Sequence, residues 1–197
     1  FYMKNRIITI SRQFGSGGRT VGREVAKKLG IPCYDHELIE RLAEESGFAK
    51  EYIKNESEYR PFGSRLASAL NVGTGFDPLT NQDRLWIAQK RMILELGAKE
   101  SCVIVGRCAD AILEDQADCL RVFIHASFEQ RAKRIVEVYG ETEVPTERRL
   151  RDKDKRRISY YQYYTDRTWG DINNYDVALD AGRLGIDKCV EIIAGLY

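Results

Sequence analysis

The sequence predicts an α/β fold in which helices cover both faces of a five-stranded parallel sheet. Short apolar, β-branched segments alternate along the chain with segments of helical periodicity, which is the pattern of a buried parallel sheet. A glycine-rich segment, residues 15–18, joins the first expected strand to the first expected helix. With 197 residues, 43% of them hydrophobic, the chain is long enough for one domain with a sizeable core.

Five apolar segments are the expected strands. The first, residues 6–11, is rich in β-branched residues, which favour a buried strand over a helix of the same length. The others are expected at 31–34, 102–105, 120–124 and 175–179.

Helical periodicity connects these strands. Val21, Val25 and Leu29 recur on one helical face, and that pattern ends at Gly30. Ser127 and Gln130 predict a capping box at the start of a later helix. Further helices are expected over 35–45, 81–98 and 186–196.

Composition excludes several functional classes. The 31 basic and 30 acidic residues give a net charge of +1, which argues against a globally basic nucleic-acid-binding protein. Five widely spaced cysteines and two histidines argue against a zinc site and favour a reducing compartment, so we expect a cytoplasmic location. No segment approaches the roughly 20 apolar residues of a membrane span, and no membrane association is expected. No feature indicates an oligomeric state.

The order strand, glycine-rich turn, helix is typical of a phosphate-binding loop. Glycines let backbone N–H groups point inward, and the helix N-terminus adds partial positive charge. Thr20 stands where a hydroxyl could ligate Mg²⁺ in the first helical turn. A plain βα turn with permissive glycines is the alternative. The expected phosphate-binding residues are Gly15, Ser16, Gly17, Gly18, Arg19 and Thr20.

The loop departs from the standard motif G-x-x-x-x-G-K-[ST]. Gly17 matches the second glycine, but the first glycine falls on Arg12 and the lysine falls on Gly18. Arg19 is the nearest basic residue and is our predicted catalytic cation, with Arg12 across the loop and the lid arginines as alternatives. A planar guanidinium, however, differs from the ammonium of a lysine. An ion pair between Arg19 and a carboxylate such as Glu24 is the competing interpretation.

Several further segments, taken with this loop, resemble the cytidylate kinase family, and in particular its divergent cytidylate-kinase-like bacterial branch. Tyr34-Asp35 opens a helix with Arg41 six residues after the aspartate, similar to that family's monophosphate-site segment. Val105-Gly106-Arg107 resembles its strand-ending Gly-Arg-Asp. The remaining similar segments are 125–134, which ends in R-A-x-R, the lid-like 151–157, and 176–187.

The resemblance implies the P-loop fold of nucleoside monophosphate kinases, a three-layer sandwich with a helical monophosphate-binding insert and a lid. It implies ATP and Mg²⁺ as cofactors and a nucleotide and a small-molecule acceptor, CMP or dCMP first, as binding partners. It places Arg41 and Arg107 on the acceptor phosphate, with lid arginines, best matched by Arg157 and loosely by Arg151, closing on the transferred group. Asp35 is expected to cap its helix or to contact the acceptor's sugar.

Two departures from the family pattern bear on activity. The loop lysine is absent, and Cys108 follows Arg107 where the family has an aspartate, the nearest acid being Asp110. These departures motivate an alternative function, a nucleotide-binding regulatory protein that kept the fold and lost the chemistry.

The expected organisation is one domain over residues 1–197, with a core formed by 4–34, 99–145 and 172–197, an acceptor-binding insert at 35–98 and a lid at 146–171. Residues 147–157 hold seven basic side chains, which fit either a lid or a solvated helix face. Four tyrosines beside this basic run leave binding of single-stranded nucleic acid as a third, less favoured function. Phosphoryl transfer from ATP to a small acceptor is the leading hypothesis.

Overall fold

A computed structural model describes residues 3–35 and 81–197. Its five strands form one sheet in the order β2-β3-β1-β4-β5, and every neighbouring pair is parallel. The predicted five-stranded parallel sheet is therefore confirmed. The strands are β1 (Met3–Arg12), β2 (Cys33–Tyr34), β3 (Cys102–Val105), β4 (Ala117–His125) and β5 (Val177–Asp180).

Helices follow the strands in an alternating order. The described helices are α1 (Gly18–Leu29), α2 (Asn81–Lys99), α3 (Ala109–Leu113), α4 (Phe128–Tyr139), α5 (Thr146–Thr165), α6 (Ala181–Leu184) and α7 (Ile186–Leu196). A short 3₁₀ helix, Ile172–Asn174, precedes β5. The capping box at the start of α4 is confirmed, with the Ser127 hydroxyl accepting the backbone N–H of Gln130.

The central strand β1 carries apolar residues on both faces, so helices must cover both. Ile8 and Ile10 pack against residues of α1 and α7 on one face. Ile7 packs against α2 and α3 on the other. All three side chains are fully buried, and the fold is the expected three-layer sandwich.

Helix α2, which ends the expected insert, lies on the sheet. Met92, Ile93 and Leu96 of α2 are buried in the cluster that covers Ile7 and Ile104. The expected helix over 35–45 lies, apart from its first residue, outside the described residues. No described helix is long and apolar enough to cross a membrane.

Two short helices were not predicted. Helix α3 has five residues and α6 has four, which is too short for a helical period to appear in the sequence. Helix α3 follows a turn in which Gly106, Arg107 and Cys108 all have positive φ angles. That turn places the residues after β3 at the same edge of the sheet as the glycine-rich loop.

Candidate active site

The candidate site lies at the carboxyl ends of β1, β3 and β4, the edge where open parallel sheets bind ligands. The glycine-rich loop leaves β1 and enters α1, with Gly15 and Gly17 at φ angles of 80° and 86°. The first intrahelical bond of α1 runs from the N–H of Val21 to the carbonyl of Gly17. The N–H groups of residues 18–20 therefore have no intrahelical acceptor, which is the arrangement that binds anions.

Ser16 stabilises the loop conformation through buried hydrogen bonds. Its hydroxyl is buried and donates to the carbonyls of Gln13, at 2.9 Å, and Ile124, at 3.1 Å. Its backbone N–H also donates to the Gln13 carbonyl. Ser16 thus shapes the loop, and its side chain does not point toward the loop mouth.

Arg19 lies on the side of α1 that faces the end of β2. Its Nε is 2.6 Å from Oδ2 of Asp35, and the Arg23 guanidinium is 3.8 Å from the same oxygen. The Asp35 side chain is 7% exposed, whereas that of Arg19 is 48% exposed. Two predicted site residues therefore form an ion pair with each other, and the partner of Arg19 is not Glu24.

A different arginine reaches the helix end of the loop. Nη2 of Arg134, on α4, donates to the Thr20 hydroxyl at 3.1 Å. A Cβ added at Gly17 would lie 3.2 Å from Nε of Arg134. Arg134 is half-buried and forms no ion pair with any residue that the structure describes, so its charge is available to an anion at the loop.

Three other arginines line one cavity between the sheet and α5. Arg12 ends β1, Arg107 follows β3, and Arg157 lies on α5. The remaining cavity lining includes Ser11, Gly106, Cys108, Tyr160, Tyr161 and Trp169. Since the cavity adjoins the glycine-rich loop, it is positioned to hold negatively charged groups beside a bound phosphate.

Helix α5, the expected lid, is joined to the loop by hydrogen bonds. The Asp154 carboxylate accepts the Phe14 backbone N–H at 2.8 Å and pairs with Arg131 at 2.5 Å. Nη1 of Arg157 donates to the Arg12 carbonyl at 3.1 Å. Arg151 instead lies on the exposed face of α5, with its guanidinium 5.7 Å from the Phe128 ring centroid.

A buried carboxyl group lies beneath the cavity. Asp110 is 2% exposed and accepts hydrogen bonds from the Tyr161 hydroxyl, at 2.7 Å, and the Ser11 hydroxyl, at 3.5 Å. Burial raises the pKa of Asp110, and the bond from Tyr161 partly offsets that rise. Burial likewise raises the pKa of the Cys108 thiol, which makes a reactive thiolate there unfavourable.

The tyrosines of α5 pack the lid onto the core. Tyr160 and Tyr161 are buried, and the ring of Tyr164 stacks on Trp86 with a centroid distance of 4.4 Å. The Tyr160 hydroxyl donates to Oε1 of Gln89. These contacts account for the aromatic run without a nucleic-acid ligand.

The structure thus brings the loop residues together with Arg107 and Arg157, whereas Arg19 and Arg151 point elsewhere. Arg41 lies outside the described residues. Arg134 and Asp154 were missed as site residues. The R-A-x-R ending of segment 125–134 was a usable signal for Arg134, whereas nothing in the sequence distinguishes Asp154 from the other lid acids.

The residues at the loop fit a Mg²⁺ ion that arrives with a nucleotide. In the described part of the chain, no cluster of three His, Cys, Asp or Glu residues could hold a metal ion. Mg²⁺ in phosphoryl-transfer sites keeps several waters and is held largely by substrate phosphates, so a single protein hydroxyl is a sufficient donor. Thr20, in the first turn of α1, is the predicted donor, and its hydroxyl oxygen accepts a hydrogen bond from Arg134 at 3.1 Å.

The sheet order, the loop and the arginine-lined cavity together define a P-loop protein of the α/β class. The model of the cytidylate kinase-like family matches residues 7–183, and the chain belongs to that family. It is 31% identical over 193 residues to a cytidylate kinase from Archaeoglobus fulgidus, with 94% of this chain and 91% of the relative covered.

Solved structures agree on the fold. An uncharacterized protein from Eubacterium ventriosum superposes with a TM-score of 0.73 at 27% identity, covering 98% of both chains. A shikimate kinase from Bacteroides thetaiotaomicron has a TM-score of 0.57 at 14% identity, covering 98% of this chain and 97% of that one. The family and the fold support a kinase-like phosphotransferase that uses a nucleotide.

Proposed function

We propose that this protein transfers the γ-phosphoryl group of ATP to a nucleoside monophosphate, with CMP or dCMP as the first candidate. The observation that carries the proposal is the convergence of Arg12, Arg107 and Arg157 on one cavity beside the phosphate loop. Guanidinium groups bind phosphate oxygens through charge-assisted, often bidentate hydrogen bonds, so a cavity lined by three of them suits phosphorylated ligands. Relatives named cytidylate kinase point to the same acceptor.

The reaction needs positioning and charge stabilisation more than covalent help from the protein. An acceptor phosphate oxygen forms a bond to the γ-phosphorus, and the bond from that phosphorus to the β–γ bridging oxygen breaks. The bonding electron pair leaves with ADP. Since the attacking oxygen is already ionised at neutral pH, no general base is required.

Each part of the site has a separate role in this proposal. The N–H groups of residues 18–20 and the Arg134 guanidinium hold the phosphates of ATP. Thr20 would hold a Mg²⁺ ion, which neutralises charge on the β- and γ-phosphates when bound. Arg107 holds the acceptor phosphate, a role that the family resemblance also gives to Arg41.

The lid role falls to Arg157. Arg157 already lines the cavity, whereas Arg151 lies on the exposed side of α5 against the Phe128 ring and would need a rotation of that helix. The Asp154 contacts hold α5 against the loop, so residues 146–171 are proposed as a lid that is closed in this structure. A closed lid excludes water, which otherwise competes as the phosphoryl acceptor.

The test is a coupled ADP-release assay with ATP and Mg²⁺ across CMP, dCMP, UMP, AMP and GMP, with hydroxyl-bearing sugar and cyclohexene acids as further acceptors. We expect kcat/KM for CMP or dCMP to exceed that for every other acceptor by at least about tenfold, or about 1.4 kcal/mol. Calorimetric titration with ATP runs in parallel. ATP binding without transfer to any acceptor would overturn the proposal in favour of a regulatory protein.

A further inference from the structure

We infer that Arg12 supplies the positive charge that a lysine supplies in the standard phosphate loop, and that Gly18 is a glycine because Arg12 occupies its side-chain space. The inference rests on the proposed phosphoryl-transfer function and assigns a further catalytic residue to that site. It departs from the sequence-based prediction, which gave this charge to Arg19.

The stem of Arg12 fills the space above Gly18. A Cβ added at Gly18 would overlap Cβ of Arg12, lie 3.0 Å from its Cγ and lie 3.3 Å from Cβ of Ile124. Real Cβ atoms essentially never approach a neighbour that closely, and both neighbours here belong to central strands that cannot shift cheaply. A lysine at position 18 and an arginine at position 12 therefore exclude each other.

The head of Arg12 reaches the end of β3. A Cβ added at Gly106 would overlap Nη1 of Arg12 and lie 2.9 Å from its Cζ. Arg12 is only 8% exposed, and its guanidinium lines the cavity together with Arg107 and Arg157. The side chain thus spans the gap from the phosphate loop to the proposed acceptor site.

Compared with the standard motif, the glycine and the basic residue have exchanged positions, since the basic residue is at position 12 and the glycine at position 18. The motif has glycine at the position of Arg12 and lysine at the position of Gly18. Here the cation is attached to the last residue of β1, and its side chain extends from beside Gly18 to Gly106. Its planar fork can hold two oxygens at once, which suits a phosphoryl group whose negative charge is spread over three equatorial oxygens.

The experiment compares four proteins: wild type, Arg12→Gly, Gly18→Lys and the double variant Arg12→Gly/Gly18→Lys, which restores the glycine and the lysine of the standard motif but leaves Arg19 at its Ser/Thr position. Turnover is measured with the most active acceptor, and the Kd for ATP with Mg²⁺ is measured by calorimetry. We expect Arg12→Gly to lower kcat by at least about 10²-fold, the effect of losing one preorganised charge contact. Gly18→Lys alone is expected to be impaired by its clash with Arg12. The double variant is expected to regain at least about tenfold over either single variant.

A second pair of variants keeps the test independent of folding. Arg12→Met retains the apolar stem over Gly18 without the charge, and Arg148→Met removes one charge from the exposed face of α5. We expect wild-type thermal unfolding for both. Only Arg12→Met should lose turnover and bind ATP at least about tenfold more weakly. Unchanged turnover and Kd in Arg12→Met would overturn the inference.

The two readouts separate this inference from the proposed function. If wild type binds ATP but transfers to no acceptor, the proposed function fails, and the ATP affinity of Arg12→Met still decides whether Arg12 contacts the phosphates. If wild type is active and Arg12→Met matches it in both turnover and ATP affinity, the proposed function stands and the role of Arg12 is refuted.

Discussion

The two arginines that flank the phosphate loop lie in opposite environments. Arg12, at the end of β1, is 8% exposed and extends over two glycines into the arginine-lined cavity. Arg19, in the first turn of α1, has a side chain 48% exposed and paired with Asp35 at the end of β2. Available space, and not closeness to the missing lysine in the sequence, decides where each of the two side chains extends.

The partners of the two arginines differ as well. Arg19 has a carboxylate at 2.6 Å, which already satisfies much of its charge. Arg12 lines a cavity together with Arg107 and Arg157. Guanidinium groups suit phosphate oxygens because they donate two parallel hydrogen bonds. We therefore propose that the Arg12 side of the loop is the functional side and that the Arg19 side contributes to folding.

The largest effect is expected for Arg157→Ala, which removes a guanidinium from the Arg12 side. Because this group is proposed to contact the transferred phosphoryl from the lid, kcat should fall by about 10²- to 10³-fold, or roughly 3–4 kcal/mol. A coupled ADP-release assay measures this change. Arg148→Ala, an exposed arginine on the same helix whose partner is Asp152, is the matched control and should retain wild-type kcat. Equal activity of the two variants would place the lid contact elsewhere.

The next effect concerns the buried carboxyl group beneath the cavity. Tyr161→Phe removes the hydroxyl that donates to Asp110, and we expect the free energy of unfolding at pH 7 to fall by about 1.5–3 kcal/mol. The loss should shrink toward pH 4. Without the Tyr161 bond, the pKa of Asp110 rises further above its usual value in the folded protein. When the pKa of a carboxyl group is higher in the folded protein than in the unfolded chain, stability falls as the pH rises above the unfolded pKa. Below the unfolded pKa the carboxyl group is protonated in both states, and this loss of stability is absent.

Chemical denaturation across this pH range measures the effect, and Tyr160→Phe provides the control. The Tyr160 hydroxyl donates to the neutral side chain of Gln89, so its removal should cost a similar amount at both pH values. If Tyr161→Phe lowers the free energy of unfolding by the same amount at every pH, the loss of the hydroxyl does not change the pKa of Asp110 in the folded protein within this range.

The fold followed from the sequence more readily than the site did. Strand β1 alternates Ile7 and Ile8 between two buried faces, a pattern that only a sheet covered on both sides explains. The capping box at Ser127 was visible because its signal is local. The sequence left Arg12 only as an alternative cation and gave Arg134 no role, because their positions depend on which side chains share a space across different strands and helices. No local spacing encodes the overlap between Arg12 and Gly18.

A moderate effect is expected on the helix side of the loop mouth. Arg134→Gln removes the cation that contacts Thr20 and lies beside Gly17, so the Kd for ATP should rise by about tenfold, or about 1.4 kcal/mol. Isothermal titration calorimetry measures the change. Lys133→Gln removes a neighbouring charge whose partner is Glu137 and should leave the Kd within about twofold. Equal shifts in both variants would indicate only a general electrostatic effect of the helix.

The smallest effect on turnover is expected for Arg19→Ala, and this variant tests most directly which of the two arginines is the cation of the loop. If Arg19 stabilises the fold and does not contact the phosphates, kcat and the ATP Kd should each change by less than about threefold. The free energy of unfolding should fall by on the order of 1 kcal/mol, because the buried Asp35 carboxylate loses its nearest cation and retains Arg23 at 3.8 Å. Arg23→Ala, which removes the more distant partner, should lower stability less. Thermal or urea unfolding and the ADP-release assay are run on the same preparations.

If turnover instead falls by about 10²-fold or more while stability is unchanged, the assignment is reversed. Arg19 would then be the cation of the loop, and Arg12 a structural residue whose stem only fills the space over Gly18.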